Sequence, residues 1–137
     1  MRGRPTISGG KDSRLNNPVV SIIDDDELVR DAVQVLVRSL GYSATAFASA
    51  EDYLQSDSAR ATSCLITDVQ MPGMSGAELQ DYLIADGNLT PIIFMTAFFD
   101  EKVRTRVLNA GGCCYLKKPL DENALVQCLE KALKSAA

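Results

Sequence analysis

Short apolar runs alternate with longer stretches in which apolar residues recur every three or four positions, and this rhythm runs from Val19 almost to the last residue. VVSII (Val19–Ile23) is continuous and apolar enough for a strand covered on both faces of a parallel sheet. From Asp26 to Leu40, the residues Leu28, Ala32, Val35, Leu36 and Leu40 fall at helical spacing, and Gly41 stands where such a helix stops. SATAF (Ser43–Phe47) predicts a second strand, with Ser49 capping a short helix through Leu54. CLIT (Cys64–Thr67) predicts a third. A helix from Ser75 to about Asp86 carries Leu79, Tyr82 and Leu83 on one face and ends near Gly87. PIIFMT (Pro91–Thr96) predicts the fourth strand, Asp100–Ala110 the fourth helix, closed by Gly111-Gly112, and CCYLK (Cys113–Lys117) the fifth strand. Asp121 caps the last helix, Glu122–Lys134. Five strands, each followed by a helix across short connections, predict an α/β architecture with a doubly wound parallel sheet.

Composition narrows the chemistry. At 137 residues the chain suits one domain, and no apolar run approaches the roughly 20 residues of a membrane span. No secretory leader is evident, so the cytoplasm is the expected compartment. The first eighteen residues, rich in Gly, Arg, Asn and Ser, carry four basic groups against one acid and read as a disordered leader. Residues 19–137, the expected folded domain, therefore hold ten basic against seventeen acidic side chains, and a polyanion such as DNA is not an expected direct contact. Histidine is absent. That removes histidine bases, nucleophile pairs and metal ligands together, leaving carboxylates, Lys, Thr or Ser, and Cys. Cys64, Cys113, Cys114 and Cys128 show no C-x-x-C spacing and are expected to be reduced, mostly buried thiols.

In open α/β sheets ligands bind at the carboxyl ends of the strands, so the residues just beyond each apolar run carry the most information. After the first strand come Asp24, Asp25, Asp26 and Glu27; after the third comes Asp68; the fourth ends in Thr96; the fifth leads to Lys117 and Lys118. Each has a plainer reading, as helix-start acids, a turn residue, a strand-end β-branched residue and a surface charge. Together they put carboxylates, a hydroxyl and an ammonium at one sheet edge. Clustered carboxylates raise one another's pKa unless a cation neutralises them, and hard oxygen ligands with open positions suit Mg²⁺. A Lys and a Thr opposite could then hold phosphoryl oxygens, which is what phosphoryl transfer requires.

IIDDDELVRDAV, ITDVQMPGMSGAEL, PIIFMTA and YLKKPL resemble the receiver domain of two-component response regulators, in particular the branch with DNA-binding output domains, as in the nitrogen-fixation regulators. The resemblance spans about Val19 to Lys134, and its D-x-x-M-P-x-M-S-G segment at Asp68–Gly76 is its most specific part. It implies a flavodoxin-like fold with strand order 2-1-3-4-5. It also implies a phosphoacceptor rather than a turnover enzyme, labelled on Asp68 by a sensor histidine kinase. Asp25 would ligate Mg²⁺ directly, Asp24 mainly through water, and Gln70 through its backbone carbonyl. Lys118, in a cis Lys118-Pro119 bond, would pair with Asp68 and then with the phosphoryl group; Lys117 does not match the motif. Thr96 and Tyr115 would form the switch, though Tyr115 also reads as an ordinary packed strand aromatic. Gln70 and Phe98, two residues beyond Asp68 and Thr96, would tune the phosphorylated lifetime. The face made by the fourth helix, fifth strand and fifth helix would serve a phosphorylation-dependent homodimer or another partner.

Two other functions compete. A haloacid dehalogenase-type hydrolase would use Asp24 as nucleophile and Asp26 as acid/base, but the MPGMSG turn has no place in it. A receiver-like adaptor would bind partners without phosphorylation, although such proteins usually lack part of the site and this chain has every residue of it.

Overall fold

The computed structural model of the chain describes residues 17–135. The elements in chain order are β1 Val19–Ile23, α1 Glu27–Ser39, β2 Ser43–Phe47, α2 Ala50–Gln55, α3 Ser58–Ala61, β3 Cys64–Asp68, α4 Gly76–Ala85, β4 Ile92–Thr96, α5 Glu101–Asn109, β5 Cys114–Lys117 and α6 Glu122–Ser135. All strand pairs are parallel and the sheet order is β2-β1-β3-β4-β5, the order the receiver resemblance implies. No helix among the described residues is long and apolar enough to cross a membrane. The expected leader lies outside the described residues up to position 16; at its end, Asn17 donates to Ser43 Oγ and Pro18 O accepts from Ser43 N.

Alternation along the strands builds two cores. Val20, Ile22, Ile66, Ile93 and Met95 pack on one side against Val33 and Val37 of α1 and Leu125 and Leu129 of α6. Ile23, Leu65, Ile92 and Phe94 pack on the other against Tyr53 of α2, Leu79 and Leu83 of α4 and Val107 of α5. Because both faces are covered, the central strands read as unbroken apolar runs. The order reverses at β1, between β2 and β3, the switch point at whose carboxyl ends such sheets bind ligands.

Three differences from the sequence expectations have physical causes. The short helix α3 carries no apolar period; it is fixed by a buried hydroxyl set, in which Thr62 Oγ1 donates to Ser58 O at 2.6 Å, accepts from Tyr53 Oη at 3.0 Å and pairs with Ser21 Oγ at 2.6 Å. With α3 counted, the fourth expected helix is α5 and the fifth is α6. β3 extends to Asp68, because Asp68 pairs in register with Met95 of β4. The cysteines are not all thiols: Cys114 of β5 and Cys128 of α6 are disulfide-bonded, with Cα atoms 6.2 Å apart. Spacing of fourteen residues gives no hint of this, since the packing of α6 on β5 brings the pair together. Cys64 and Cys113 are free, and burial pushes the Cys64 thiol up to about 12.

The segment after β3 is held tightly against the sheet. Gly76 N donates to Val69 O at 2.9 Å, and a Cβ at Gly76 would lie 2.5 Å from Asp68 O. Alanine normally favours a helix over glycine by about 1 kcal/mol. Here the contact is with backbone, so the clash dominates: Gly76→Ala should destabilise the domain by about 1–3 kcal/mol, seen as a lower urea midpoint, and an unchanged midpoint would contradict the close approach.

Candidate phosphoryl-acceptor and metal site

Each candidate side chain sits where a strand runs out. Asp24 and Asp25 follow β1, Asp68 ends β3, Thr96 ends β4, and Lys118 follows β5. Asp24 is fully buried. Its Oδ1 accepts from Asp26 N at 2.8 Å, and its main chain is held by Asp24 N donating to Phe47 O at 3.2 Å and Arg30 Nη1 donating to Asp24 O at 2.8 Å. Arg30 escaped the sequence reading. It lies six residues along on α1, where a basic residue looks like any solvated helix position.

Lys118 joins the two halves of the site. Its Nζ donates to Asp24 Oδ2 at 2.6 Å and to Asp68 Oδ2 at 3.1 Å, across 94 and 50 residues of sequence. The strand below it is positioned by Lys118 N donating to Thr96 O at 2.8 Å, and the Lys118-Pro119 peptide is cis, as the resemblance implies. Lys117 closes β5 in register with Thr96 but is exposed and takes no part in the pair. Asp68 Oδ1 accepts from Gln70 N at 3.3 Å. One carboxylate oxygen from each of Asp24, Asp25 and Asp68 falls within 4.8 Å of the others, a hard, anionic donor set with Asp25 open to solvent. The three negative charges against one ammonium fit a divalent cation of the Mg²⁺ kind.

Burial shapes the protonation. Burial raises the Asp68 carboxyl above its ordinary value and nearby Asp24 adds to this, while the bonds from Lys118 and Gln70 N oppose it. For Lys118, burial works against the ammonium, but the bonds to Asp24 and Asp68 prevail and the pKa is raised. Lys118 therefore remains charged across the neutral range.

The remaining residues lie beside this cluster. Thr96 is buried; its Oγ1 donates to Phe98 O at 3.0 Å and accepts from Phe98 N at 3.1 Å, so the hydroxyl ties the β4–α5 loop to the strand end. Tyr115 is only 9 % exposed, its Oη accepting from Asp100 N at 3.4 Å and its ring meeting Phe99 edge-on at 5.3 Å. Phe98 is 71 % exposed and Gln70 is exposed, both at the rim. Asp26, the acid/base of the hydrolase reading, caps α1 by accepting from Leu28 N at 3.0 Å.

Comparison with known proteins bears on the family and the fold. The family model described as response regulator receiver domain matches residues 20–130. Response regulator protein TodT of Pseudomonas putida is 39% identical over 118 residues, which is 86% of this chain and 52% of TodT. Transcriptional regulatory protein FixJ of Azorhizobium caulinodans is 34% identical over 118 residues, 86% of this chain and 56% of FixJ. The solved structure of response regulator StyR superposes with a TM-score of 0.82 at 37% identity, covering 88% of this chain and 61% of that one. The chain thus spans little more than half the length of the curated relatives it matches.

Because its folded pKa is raised, Asp68 contributes stability that is fully present below its unfolded pKa, about 3.9, and is lost as pH rises through the folded value. Asp68→Asn in metal-free buffer should therefore raise Tm at pH 7, with the gain shrinking as pH falls toward 4. A lower Tm at pH 7 would show that the bond to Lys118 outweighs burial.

Proposed function

The chain belongs to the response regulator receiver family of two-component signalling, and from that premise we propose that Asp68 is its phosphoacceptor. Members of the family are signalling proteins rather than classical enzymes. The observation that carries the assignment is the Lys118 ammonium shared between Asp24 and Asp68, with the Asp25 carboxylate beside them. A sensor histidine kinase is the phosphodonor. One oxygen of Asp68 attacks phosphorus, the P–N bond to the kinase histidine breaks, and that imidazole retains the electron pair and takes up a proton.

Asp24, Asp25 and Asp68, with the backbone carbonyl of Gln70, would hold Mg²⁺, which when bound neutralises charge on the transferring phosphoryl oxygens. Lys118 does the same from the other side, moving from the Asp68 carboxylate to a phosphoryl oxygen without giving up Asp24. The Thr96 hydroxyl exchanges its bonds to the Phe98 backbone for the new dianion. Releasing that loop frees Tyr115 from Asp100 N and Phe99, and the ring turns inward behind Thr96. The face of α5, β5 and α6 changes shape as a result, which suits a phosphorylation-dependent homodimer. An apolar groove between α1 and the residues after β5, lined by Leu28, Val29, Leu36, Pro119 and Leu120, flanks Lys118 and suits the helix that presents the kinase histidine. Since TodT and FixJ are nearly twice as long as the matched region, the chain is read as the regulatory part of a transcriptional regulator.

Intact mass after incubation with Mg²⁺ and acetyl phosphate tests the assignment. The wild type should gain about 80 Da, one phosphoryl group, in a hydroxylamine-labile linkage, and Asp68→Ala should gain nothing. Asp24→Ala should label slowly or in part. A label on Asp68→Ala that is lost in Asp24→Ala would favour the hydrolase chemistry, and absence of any label would favour the adaptor.

Phe98 stands at the mouth as a bulky apolar side chain that hinders an attacking water. Phe98→Glu should speed loss of the label at least about fivefold, a barrier change near 1 kcal/mol. An unchanged decay would remove Phe98 from the control of lifetime.

A further inference from the structure

The loop between β3 and α4 is gripped from an element that the site chemistry does not otherwise use. Glu51, in the first turn of α2, accepts a hydrogen bond from Met74 N on its Oε2 at 2.8 Å. The same carboxylate fills the space beside Gly73, whose φ is +77°, so that an added Cβ would lie 2.5 Å from Glu51 Oε2. Gly73 is favoured for its left-handed backbone, and a side chain there would have to push the Glu51 carboxylate aside. A carboxylate on a backbone N–H is a charge-assisted bond, stronger than a neutral one.

The placement of this contact matters more than its strength. The loop leaves Asp68, whose Oδ1 is bonded to Gln70 N, and re-enters the fold where Gly76 N meets Val69 O and the Ser75–Glu78 capping box opens α4. Those bonds hold its two ends. Between them, in the stretch from Gln70 to Met74, the Met71 and Met74 side chains pack on the core below, and the bond to Glu51 is what fixes the backbone across to another element among the described residues. Gln70, whose carbonyl the proposed metal site uses, lies in that stretch.

We propose that Glu51 is a positioning residue for the metal half of the site: by holding Met74 N it fixes the loop that presents the Gln70 carbonyl. The inference rests on the metal reading given under Proposed function. It acts through geometry and not through charge, which separates it from a general electrostatic effect of one more acid. Three variants divide these possibilities. Glu51→Gln keeps the reach and an acceptor oxygen but loses the charge. Glu51→Asp keeps the charge and falls one methylene short of Met74 N. Glu51→Ala loses both.

Mg²⁺ affinity should be measured by titration of the ¹⁵N-labelled protein, following the Gln70 and Met74 amides, with Tm recorded for each variant. The expected result is Mg²⁺ binding weakened about tenfold in Glu51→Asp and Glu51→Ala, the low end for groups that orient metal ligands, with binding within twofold of wild type in Glu51→Gln. Faster hydrogen exchange at Met74 should accompany the weakening. Affinity unchanged in both Glu51→Asp and Glu51→Ala would overturn the proposal, as would a loss in Glu51→Gln as large as in Glu51→Ala. If Glu51→Ala did not fold, the Asp and Gln pair would still decide it. Wild-type protein that bound no Mg²⁺ would instead sink the metal reading beneath the proposal, a distinguishable failure.

Discussion

One ammonium group holds the working end of this protein together. Lys118 Nζ lies within hydrogen-bonding distance of two buried carboxylates, and both must be delivered to it from strands far apart in sequence. Removing one partner of a buried ion pair commonly costs about 3–5 kcal/mol, because the other charge is left without solvent or counterion. In this cluster the imbalance runs the other way: three carboxylates face one cation, so the resting site is over-supplied with negative charge and prepared to accept a positive ion. The raised pKa of Lys118 follows from that arrangement, whereas the raised pKa of Asp68 comes first from burial, with Asp24 adding to it.

The fold can be understood as the scaffold that this cluster demands. A doubly wound sheet brings the carboxyl ends of β1, β3, β4 and β5 to one edge, and the two cores on its faces make the strand ends rigid. Rigidity at Asp24 is reinforced by Phe47 O, Arg30 and the Asp26 amide, so the residue has no freedom to leave Lys118. Thr96 differs. Among the described residues its hydroxyl is bonded only within the β4–α5 loop, donating to Phe98 O and accepting from Phe98 N, and the donated bond is one that another acceptor oxygen can take. The same sheet edge thus contains a half tied into the sheet and α1, around Asp24 and Asp68, and a half tied to the β4–α5 loop, around Thr96 and Tyr115, which the proposed switch would use.

Exposed aromatic residues lie beside Thr96 and Tyr115. Phe98 and Phe99 belong to the loop that Thr96 tethers, and Phe99 packs edge-on to Tyr115. A change at Thr96 therefore reaches solvent within one residue contact. The Cys114–Cys128 bond ties α6 to β5, the strand that carries Tyr115, so strand and helix are held together on this face.

The strands, all but one of the helices and the acidic, hydroxyl and lysine positions were legible in the sequence, because buried parallel strands and amphipathic helices impose periods and because ligand residues follow strand ends. The most specific segment, Asp68–Gly76, was legible through its resemblance to the family, and the structure shows why such a segment admits few residues: close backbone approach at Gly76 and positive φ at Gly73. What lay beyond the sequence are the contacts made across the fold. Nothing in the chain order pairs Glu51 with Met74, Arg30 with Asp24 O, or Cys114 with Cys128, and α3 has no apolar period of its own to announce it. Local pattern determined which residues form strands and helices and which stand at the strand ends; the packing of helices on the sheet decided which of those residues touch, since hydrogen bonds and ion pairs depend on distances of a few tenths of an ångström that only the assembled layers set.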